Sequence, residues 1–284
     1  MIGLIAHVGK PGASSIVQKT IACLQKHRAE FLAESKTAAL VNLSQHYPVE
    51  ELAERCSILL VLGGDGTILR VIHQISGAIP PIFGLNIGSL GFLTCFGPDE
   101  IEAAISSILT RDYVLSPRRL LSATVRHAGK ISTHEALNEV LISRGERSQL
   151  VKVRVLIDGT LLTDYYADGL IVATPTGSTA YSLSAGGPIL MPDCGALVIT
   201  PICPHVLTNR SVVVADNSII TLIPCGDQEQ AVFVTLDGHD AQRVAPDDRI
   251  EIQKSSRILP LAMLPNRSFS SILQQKLKWS GSNI

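Results

Sequence analysis

The first residue with a clear capacity for chemistry is an aspartate among glycines, Asp65, in the sequence GGDGT at residues 63–67. The motif directly follows residues 57–62, an apolar segment of strand length. Glycines at the carboxyl end of a parallel strand let backbone N–H groups approach phosphate oxygens, and open α/β sheets bind ligands at that edge. The alternative is a tight turn in which Asp65 caps the next helix. Five specified residues after a strand favour a functional site.

Two other phosphate-binding patterns and one zinc pattern do not fit the sequence. No GxxxxGK[ST] occurs, and the third glycine of a GxGxxG fingerprint starting at Gly64 would fall on Leu69. His134 and Glu135 begin an HExxH motif, but the second histidine position is Asn138. A P-loop, a standard dinucleotide fingerprint and a zinc-protease helix are therefore set aside.

A polar segment at residues 174–188, TPTGSTAYSLSAGGP, is the second candidate site. It follows a predicted strand, with Asp168 and Gly169 just before that strand. Segments rich in Ser, Thr and Gly are usually loops. This one is long and offers hydroxyls, backbone amides and the ring of Tyr181, which are groups that can hold a polar heterocycle and its ribose.

A third candidate is the pair Asn138 and Glu139, which lies among apolar residues at 137 and 140–142. Buried polar side chains cost free energy unless they are hydrogen-bonded. The pair therefore indicates either a bound ligand or an internal hydrogen-bond network, and the pair alone leaves both open.

Short apolar segments alternate with helix-period segments in the first hundred residues, which predicts βα units around a mostly parallel sheet. We predict strands at residues 2–6, 38–43, 57–62 and 82–86, and helices at 49–55, 68–75 and 99–109. Another helix follows the loop at residues 9–12, with Ser14 or Ser15 as its cap and a stripe of Ile16, Val17, Thr20, Ile21 and Leu24. A helix at 269–279 is expected to return to this domain, which comprises residues 1–112 and 262–284.

From residue 113 to 261 the pattern predicts a second, β-rich domain resembling a sandwich. Apolar and polar residues alternate at 151–157, and an Asp-Gly turn follows at Asp158 and Gly159. Further strands are predicted at residues 170–174, 212–215, 219–223, 231–236 and 249–252.

Composition limits the class of protein. The 284 residues include 24 Lys and Arg against 25 Asp and Glu, so no general attraction to nucleic acid or anionic lipid is expected. No apolar run is long enough to span a bilayer, and the N-terminus does not resemble an export signal. The six cysteines form no CxxC pair, which favours reduced, core-filling thiols and a cytoplasmic location.

Together these motifs resemble the NAD kinase family, in order, along nearly the whole chain. The resemblance is carried by GGDGT at 63–67, GSLGFL at 88–93, Asn138-Glu139, Asp168-Gly169, the segment 174–188, PICPH at 201–205 and Asp237-Gly238. GGDGT is shared with diacylglycerol and sphingosine kinases and, more loosely, phosphofructokinases. The TPTGSTAYS sequence is far more specific to NAD kinases.

The resemblance implies an α/β domain with flanking helices plus a β-rich domain, and the transfer of a phosphoryl group from ATP to the 2′-hydroxyl of the adenosine ribose of NAD. Asp65 would be the general base. The donor phosphates would contact Gly63, Gly64, Gly66 and Thr67. The resemblance implies an NAD pocket formed by Asp65, Gly66, Asn138, Glu139, Asp168, Thr179, Ala180, Tyr181, Ser182, Ser184 and His239.

Other expectations follow from the same resemblance. A divalent metal, magnesium by preference, would accompany the phosphates without a dedicated set of protein ligands. The partners would be small nucleotides, with no nucleic acid or membrane, and the chain would form a homodimer or homotetramer. The donor could be ATP, another triphosphate or polyphosphate, and NADH could be a second acceptor.

The sequence departs from the family pattern at two places. Tyr166 stands where members often carry a basic residue two positions before Asp168, and Arg210 precedes Ser211 rather than proline. Two alternative functions stay open: a lipid kinase of the diacylglycerol type, which shares GGDGT, and a catalytically silent NAD(P)-binding sensor.

Overall fold

A computed structural model describes residues 1–88, 91–145, 149–206, 208–226 and 231–279. The chain forms two compact units, residues 1–117 with 258–284 and residues 118–257. The helices are α1 (Ala13–Lys26), α2 (Ser35–Ala39), α3 (Val49–Arg55), α4 (Asp65–His73), α5 (Ile101–Thr110), α6 (Tyr181–Ser184) and α7 (Phe269–Leu277). The strands are β1 (Ile2–Ala6), β2 (Phe31–Ala33), β3 (Ile58–Leu62), β4 (Ile82–Leu85), β5 (Val114–His127), β6 (Lys130–Ala136), β7 (Glu139–Arg144), β8 (Val151–Ile157), β9 (Thr160–Ala167), β10 (Gly169–Ala173), β11 (Ala196–Ile202), β12 (Val212–Ala215), β13 (Ile220–Cys225), β14 (Val232–Leu236), β15 (His239–Val244) and β16 (Arg249–Met263).

The first unit is built on a parallel sheet in the order β2-β1-β3-β4. The end of β16 extends this sheet through Leu261 and Ala262, which pair with β4. Every residue of β1, β3 and β4 is buried, as expected for strands covered on both faces. Because the strands are parallel, the loops that follow β1, β3 and β4 leave from the same edge of the sheet.

The second unit is a β-sandwich. One antiparallel sheet has the order β12-β11-β10-β7-β14-β15, and a second contains β16-β13-β8-β9, with β5 and β6 joined to β16. A single apolar cluster draws residues from both sheets, among them Val140 and Val172 from the first and Val153 and Ile252 from the second. The predicted turn at Asp158 and Gly159 is confirmed, since both residues have positive φ (50° and 78°). An α/β unit and a β-rich sandwich are the predicted fold class.

Two local predictions in the first unit are wrong. Residues 38–43 form no strand; the strand is β2, and α2 follows it because the Glu34 carboxylate accepts the Thr37 N–H at 2.9 Å and caps that helix. Neither Ser14 nor Ser15 caps α1. Its cap is Gly12, whose φ of 79° suits glycine.

The cysteines are all free in the described part of the chain. Cys23, Cys56 and Cys95 are buried as predicted, but Cys194 and Cys203 are exposed, so the core-filling prediction is wrong for those two. No described helix has the length and hydropathy needed to cross a bilayer.

Candidate active site

The Asp65 carboxylate is held in place by the segment that follows β4. Its Oδ2 accepts the Phe92 N–H at 2.8 Å, and its Oδ1 accepts the Leu93 N–H at 3.0 Å. A side chain at Gly91 would overlap this carboxylate, so only glycine fits there. Each oxygen keeps further lone-pair capacity. Asp65 is therefore both oriented and able to accept a proton.

The N–H groups of Phe92 and Leu93 give the GSLGFL motif a role in holding Asp65. The motif is visible in the sequence, but its contact with Asp65 is not, because the contact is made by backbone N–H groups that do not depend on residue type. Ser89 and Leu90 lie outside the described residues.

The glycine turn before Asp65 leaves the start of α4 open. Gly64 is the N-terminal cap of this nine-residue helix and provides no capping side chain. Asp65 does not cap α4, contrary to the alternative considered from sequence, because its carboxylate bonds to Phe92 and Leu93. Uncapped N–H groups at a helix N-terminus attract anions.

Of the four residues predicted to contact donor phosphates, two are at least partly exposed and two are buried. Gly64 is partly exposed and Gly66 is exposed, whereas Gly63 and Thr67 are buried. A Cβ at Gly63 would overlap the Thr67 side chain, so this glycine shapes the turn. Backbone groups at Gly64 and Gly66 are the ones open to a ligand.

In the second unit, Asn138 and Glu139 are 9% and 8% exposed. The N–H groups of Asn138 and Glu139 donate to Asp237 Oδ1 at 2.7 and 3.0 Å, and that of Leu137 donates to Oδ2 at 2.7 Å. The internal network considered from sequence therefore exists. It joins backbone N–H groups to the Asp237 carboxylate and does not use the Glu139 carboxylate. Glu139 Oε2 is buried with no partner in the described residues.

Burial, and secondarily the nearby Asp237 carboxylate, raise the pKa of Glu139 to about 8. In the unfolded chain its pKa is near 4.5. Below pH 4.5 the side chain is neutral in both states, so it does not make the free energy of unfolding depend on pH. Between the two values, ionisation favours the unfolded chain, so the free energy of unfolding falls as pH rises, by a few kcal/mol in total (~1.4 kcal/mol per pH unit).

Glu139→Gln, which stays uncharged, is accordingly expected to abolish this loss. The difference in unfolding free energy between the variant and wild type should grow from about pH 5 to pH 8 and then level off, as measured by chemical denaturation across that range. Glu54→Gln, at an exposed glutamate, is the matched control. Parallel curves for wild type and Glu139→Gln would show that Glu139 ionises normally.

Several hydroxyl groups of the segment at 174–188 form hydrogen bonds within the protein. Thr174 Oγ1 donates to the Leu137 carbonyl at 2.6 Å and accepts the Gly177 N–H at 3.0 Å. The Ser182 hydroxyl bonds to Thr200 Oγ1 at 2.9 Å in the interior. The sequence interpretation, in which the hydroxyls served a ligand, thus missed their structural use.

The part of this segment left open comprises Thr179 and Ala180, partly exposed, and Tyr181 and Ser184, exposed. Gly177 packs against the Asn138 backbone so closely that a Cβ there would overlap it. The structure therefore brings the second and third candidate sites together within the second unit.

Asp168 has a partner that the sequence did not reveal. Its Oδ1 accepts the Arg144 Nε–H at 2.7 Å, and its carbonyl accepts the Arg144 backbone N–H at 3.1 Å. The two residues meet because β7 and β10 are antiparallel neighbours. His239, the remaining predicted contact, is exposed at the start of β15, directly after the turn at Asp237 and Gly238.

Comparison with known families covers both units. The ATP-NAD kinase N-terminal domain matches residues 2–113, and the ATP-NAD kinase C-terminal domain matches residues 137–264. The chain belongs to the ATP-NAD kinase family. Its members are phosphotransferases, and the alternatives of a lipid kinase and a silent sensor find no support among the relatives.

Individual ATP-NAD kinase relatives match over nearly their whole length. The NAD kinase of Chlorobium phaeobacteroides is 39% identical over 98% of this chain and 96% of its own. That of Geotalea daltonii is 38% identical over 98% of both chains.

Two solved structures share the fold. Yeast NADH kinase in complex with NADH matches with a TM-score of 0.91 and 24% identity over 100% of this chain and 89% of that one. An Archaeoglobus fulgidus NAD kinase in complex with ATP matches with a TM-score of 0.76 and 26% identity over 99% and 100%. The two-domain ATP-NAD kinase fold predicted from the sequence is confirmed.

Proposed function

We propose that this chain transfers the γ-phosphoryl group of ATP to the 2′-hydroxyl of the adenosine ribose of NAD and so produces NADP. The observation that carries the proposal is Asp65, oriented by two backbone N–H groups beside an open helix N-terminus. Relatives named NAD kinase at 38–39% identity support the choice of acceptor, and the related enzyme solved with ATP supports the choice of donor.

Asp65 acts as the general base in this proposal. A ribose hydroxyl is too weak an acid to ionise beforehand, so the carboxylate orients it and takes its proton as the new P–O bond forms and the bond from phosphorus to ADP breaks. Phosphoryl transfer needs little other covalent help, because in-line placement and charge neutralisation supply most of the acceleration.

Most of the remaining roles are assigned to residues that are at least partly exposed, whereas Asn138, Glu139 and Ser182 are buried. We assign contacts with donor phosphates to the backbone at the turn, and stacking on a base to the exposed ring of Tyr181. The hydroxyl of Ser182 is bonded to Thr200, so we assign its contribution to its backbone. The proposed NAD contacts are Asp65, Gly66, Asn138, Glu139, Asp168, Thr179, Ala180, Tyr181, Ser182, Ser184 and His239.

A divalent metal, magnesium by preference, is part of the proposal. The glycine turn offers one carboxylate, Asp65, and the one described trio of Cys, His and Glu ligand atoms lies elsewhere, at Cys23, His27 and Glu102. This fits an ion held mainly by substrate phosphate oxygens. Asp65 is the carboxylate of the turn that could serve as an oxygen ligand. When bound, the ion would neutralise phosphate charge.

A coupled assay for NADP tests the function. The purified chain with NAD, ATP and magnesium should form NADP, and EDTA should remove more than nine-tenths of the rate until magnesium is restored. Parallel reactions with other triphosphates, polyphosphate and NADH define donors and acceptors. Absence of NADP with every donor would favour a silent sensor, and labelled lipid from diacylglycerol and ATP would favour a lipid kinase. The homodimeric or homotetrameric state and the cytoplasmic location stay predictions.

A further inference from the structure

The ammonium group of Lys10 lies at the glycine turn of the first unit. Its Nζ is 3.8 Å from the position a Cβ would take at Gly64, and 3.0 Å from the corresponding position at Gly88. The amine therefore lies beside two glycines, whose backbone no side chain of their own covers.

The sheet explains why these residues meet. Lys10 follows β1, Gly64 follows β3 and Gly88 follows β4, and these three strands are parallel neighbours. The loop of Lys10 is tied to β3 by the His7 N–H, which donates to the Leu62 carbonyl at 2.9 Å. The Lys10 carbonyl accepts the Ala13 N–H at 3.1 Å at the start of α1. The amine is thus delivered by a fixed backbone.

Lys10 is partly buried, and among residues 1–88, 91–145 and the other described ranges no side chain bonds to its amine. An ammonium group has three donors and attracts anions electrostatically. The neighbouring N-terminus of α4, capped only by Gly64, adds a second attraction for negative charge. An anion with several oxygens would suit both the amine and the helix N-terminus.

We propose that Lys10 binds the β- and γ-phosphates of the donor nucleotide and neutralises part of their charge during transfer. The inference rests on the proposed function, because it takes the glycine turn as the donor site. An ammonium group beside a transferring phosphoryl group stabilises its oxygens electrostatically.

The donor is favoured over the pyrophosphate of NAD because the amine adjoins Gly64 and the N-terminus of α4, the groups assigned to donor phosphates. Most of the NAD contacts assigned above lie in the second unit.

The test combines binding and kinetics on the full chain. Lys10→Met should weaken binding of magnesium-ATP and of inorganic triphosphate, measured by calorimetry without NAD, by about 10- to 100-fold. In the coupled assay the KM for ATP should rise similarly while the KM for NAD stays within twofold. Lys10→Arg should recover part of the loss, and Lys19→Met, at an exposed lysine of α1, should behave as wild type.

The outcomes separate the two proposals. Unchanged affinity of Lys10→Met for ATP and triphosphate, or a rise in the KM for NAD alone, would overturn the role of Lys10 while leaving the kinase proposal intact. Lys10-dependent triphosphate binding in a wild-type chain that makes no NADP would overturn the kinase proposal alone. Thermal unfolding of each variant, with Lys10→Arg retaining the charge, identifies any loss that comes from misfolding.

Discussion

Replacing Asp65 by Asn is expected to lower kcat by roughly 100- to 10,000-fold while leaving NAD affinity within a few-fold of wild type. The amide has nearly the same shape but cannot accept the proton of the ribose hydroxyl. Its Oδ1 can still accept one of the two N–H groups that now hold the carboxylate, from Phe92 and Leu93. Its NH2 group faces the other, so a loss of stability of up to about 2 kcal/mol is expected.

A second variant tests the placement of the carboxylate with its charge intact. Gly91→Ala introduces a Cβ that would overlap Asp65, so the carboxylate or the segment after β4 must shift. Since a small misplacement of a catalytic group is costly, kcat should fall by about 10- to 100-fold with Asp65 still present. For the Asp65→Asn variant, Asp99→Asn at an exposed aspartate of the same unit is the control for the lost negative charge.

Initial rates at saturating NAD and ATP give kcat, and calorimetric titration with NAD gives affinity. An Asp65→Asn enzyme with more than a tenth of wild-type kcat would remove Asp65 from the role of general base. A large loss of NAD affinity with kcat preserved would instead identify it as a binding residue.

The sequence predicted the strands and helices best where apolar runs end sharply. β1, β12 and α3 have the predicted boundaries, and β3 differs by a single residue. Each is an apolar or amphipathic run bounded by turn residues, so local pattern and tertiary burial agree. At residues 38–43 the apolar pattern predicted a strand and the structure has none. The Glu34 side chain bonds to Thr37 and caps the helix α2 there.

The candidate site was predictable as a set of residues but not as a set of contacts. Asp65, Asn138 and Glu139 are recognisable in the sequence because they are polar residues that follow or interrupt apolar segments. Their hydrogen-bond partners are largely backbone N–H groups, which every residue except proline carries. The residue types in the sequence therefore do not identify these partners. The pairing of Arg144 with Asp168 depends on which strands are neighbours, and that is a long-range property.

Loss of the Asp237 side chain should strongly destabilise the second unit. Asp237→Ala leaves the N–H groups of Leu137, Asn138 and Glu139 without their acceptor in the protein interior. Each unsatisfied buried donor costs about 1 to 3 kcal/mol, and partial relaxation or water entry reduces the sum. We expect the free energy of unfolding to fall by roughly 3 to 5 kcal/mol, with NAD affinity reduced as residues 137–139 lose their fixed conformation.

Asp237→Asn separates the contributions of the two oxygens. If Oδ1 keeps the bonds to Asn138 and Glu139, only the Leu137 N–H faces the new NH2 group, so the loss should be about half that of Asp237→Ala. Both variants remove the charge that helps raise the pKa of Glu139, so its titration should move toward the usual range of glutamate. Chemical denaturation measures the stability, and Asp193→Asn, at an exposed aspartate, is the control. A stability of Asp237→Ala equal to that of the control would mean that the other hydrogen bonds of residues 137–139, with Thr174 and with the backbone of residue 237, suffice to hold them.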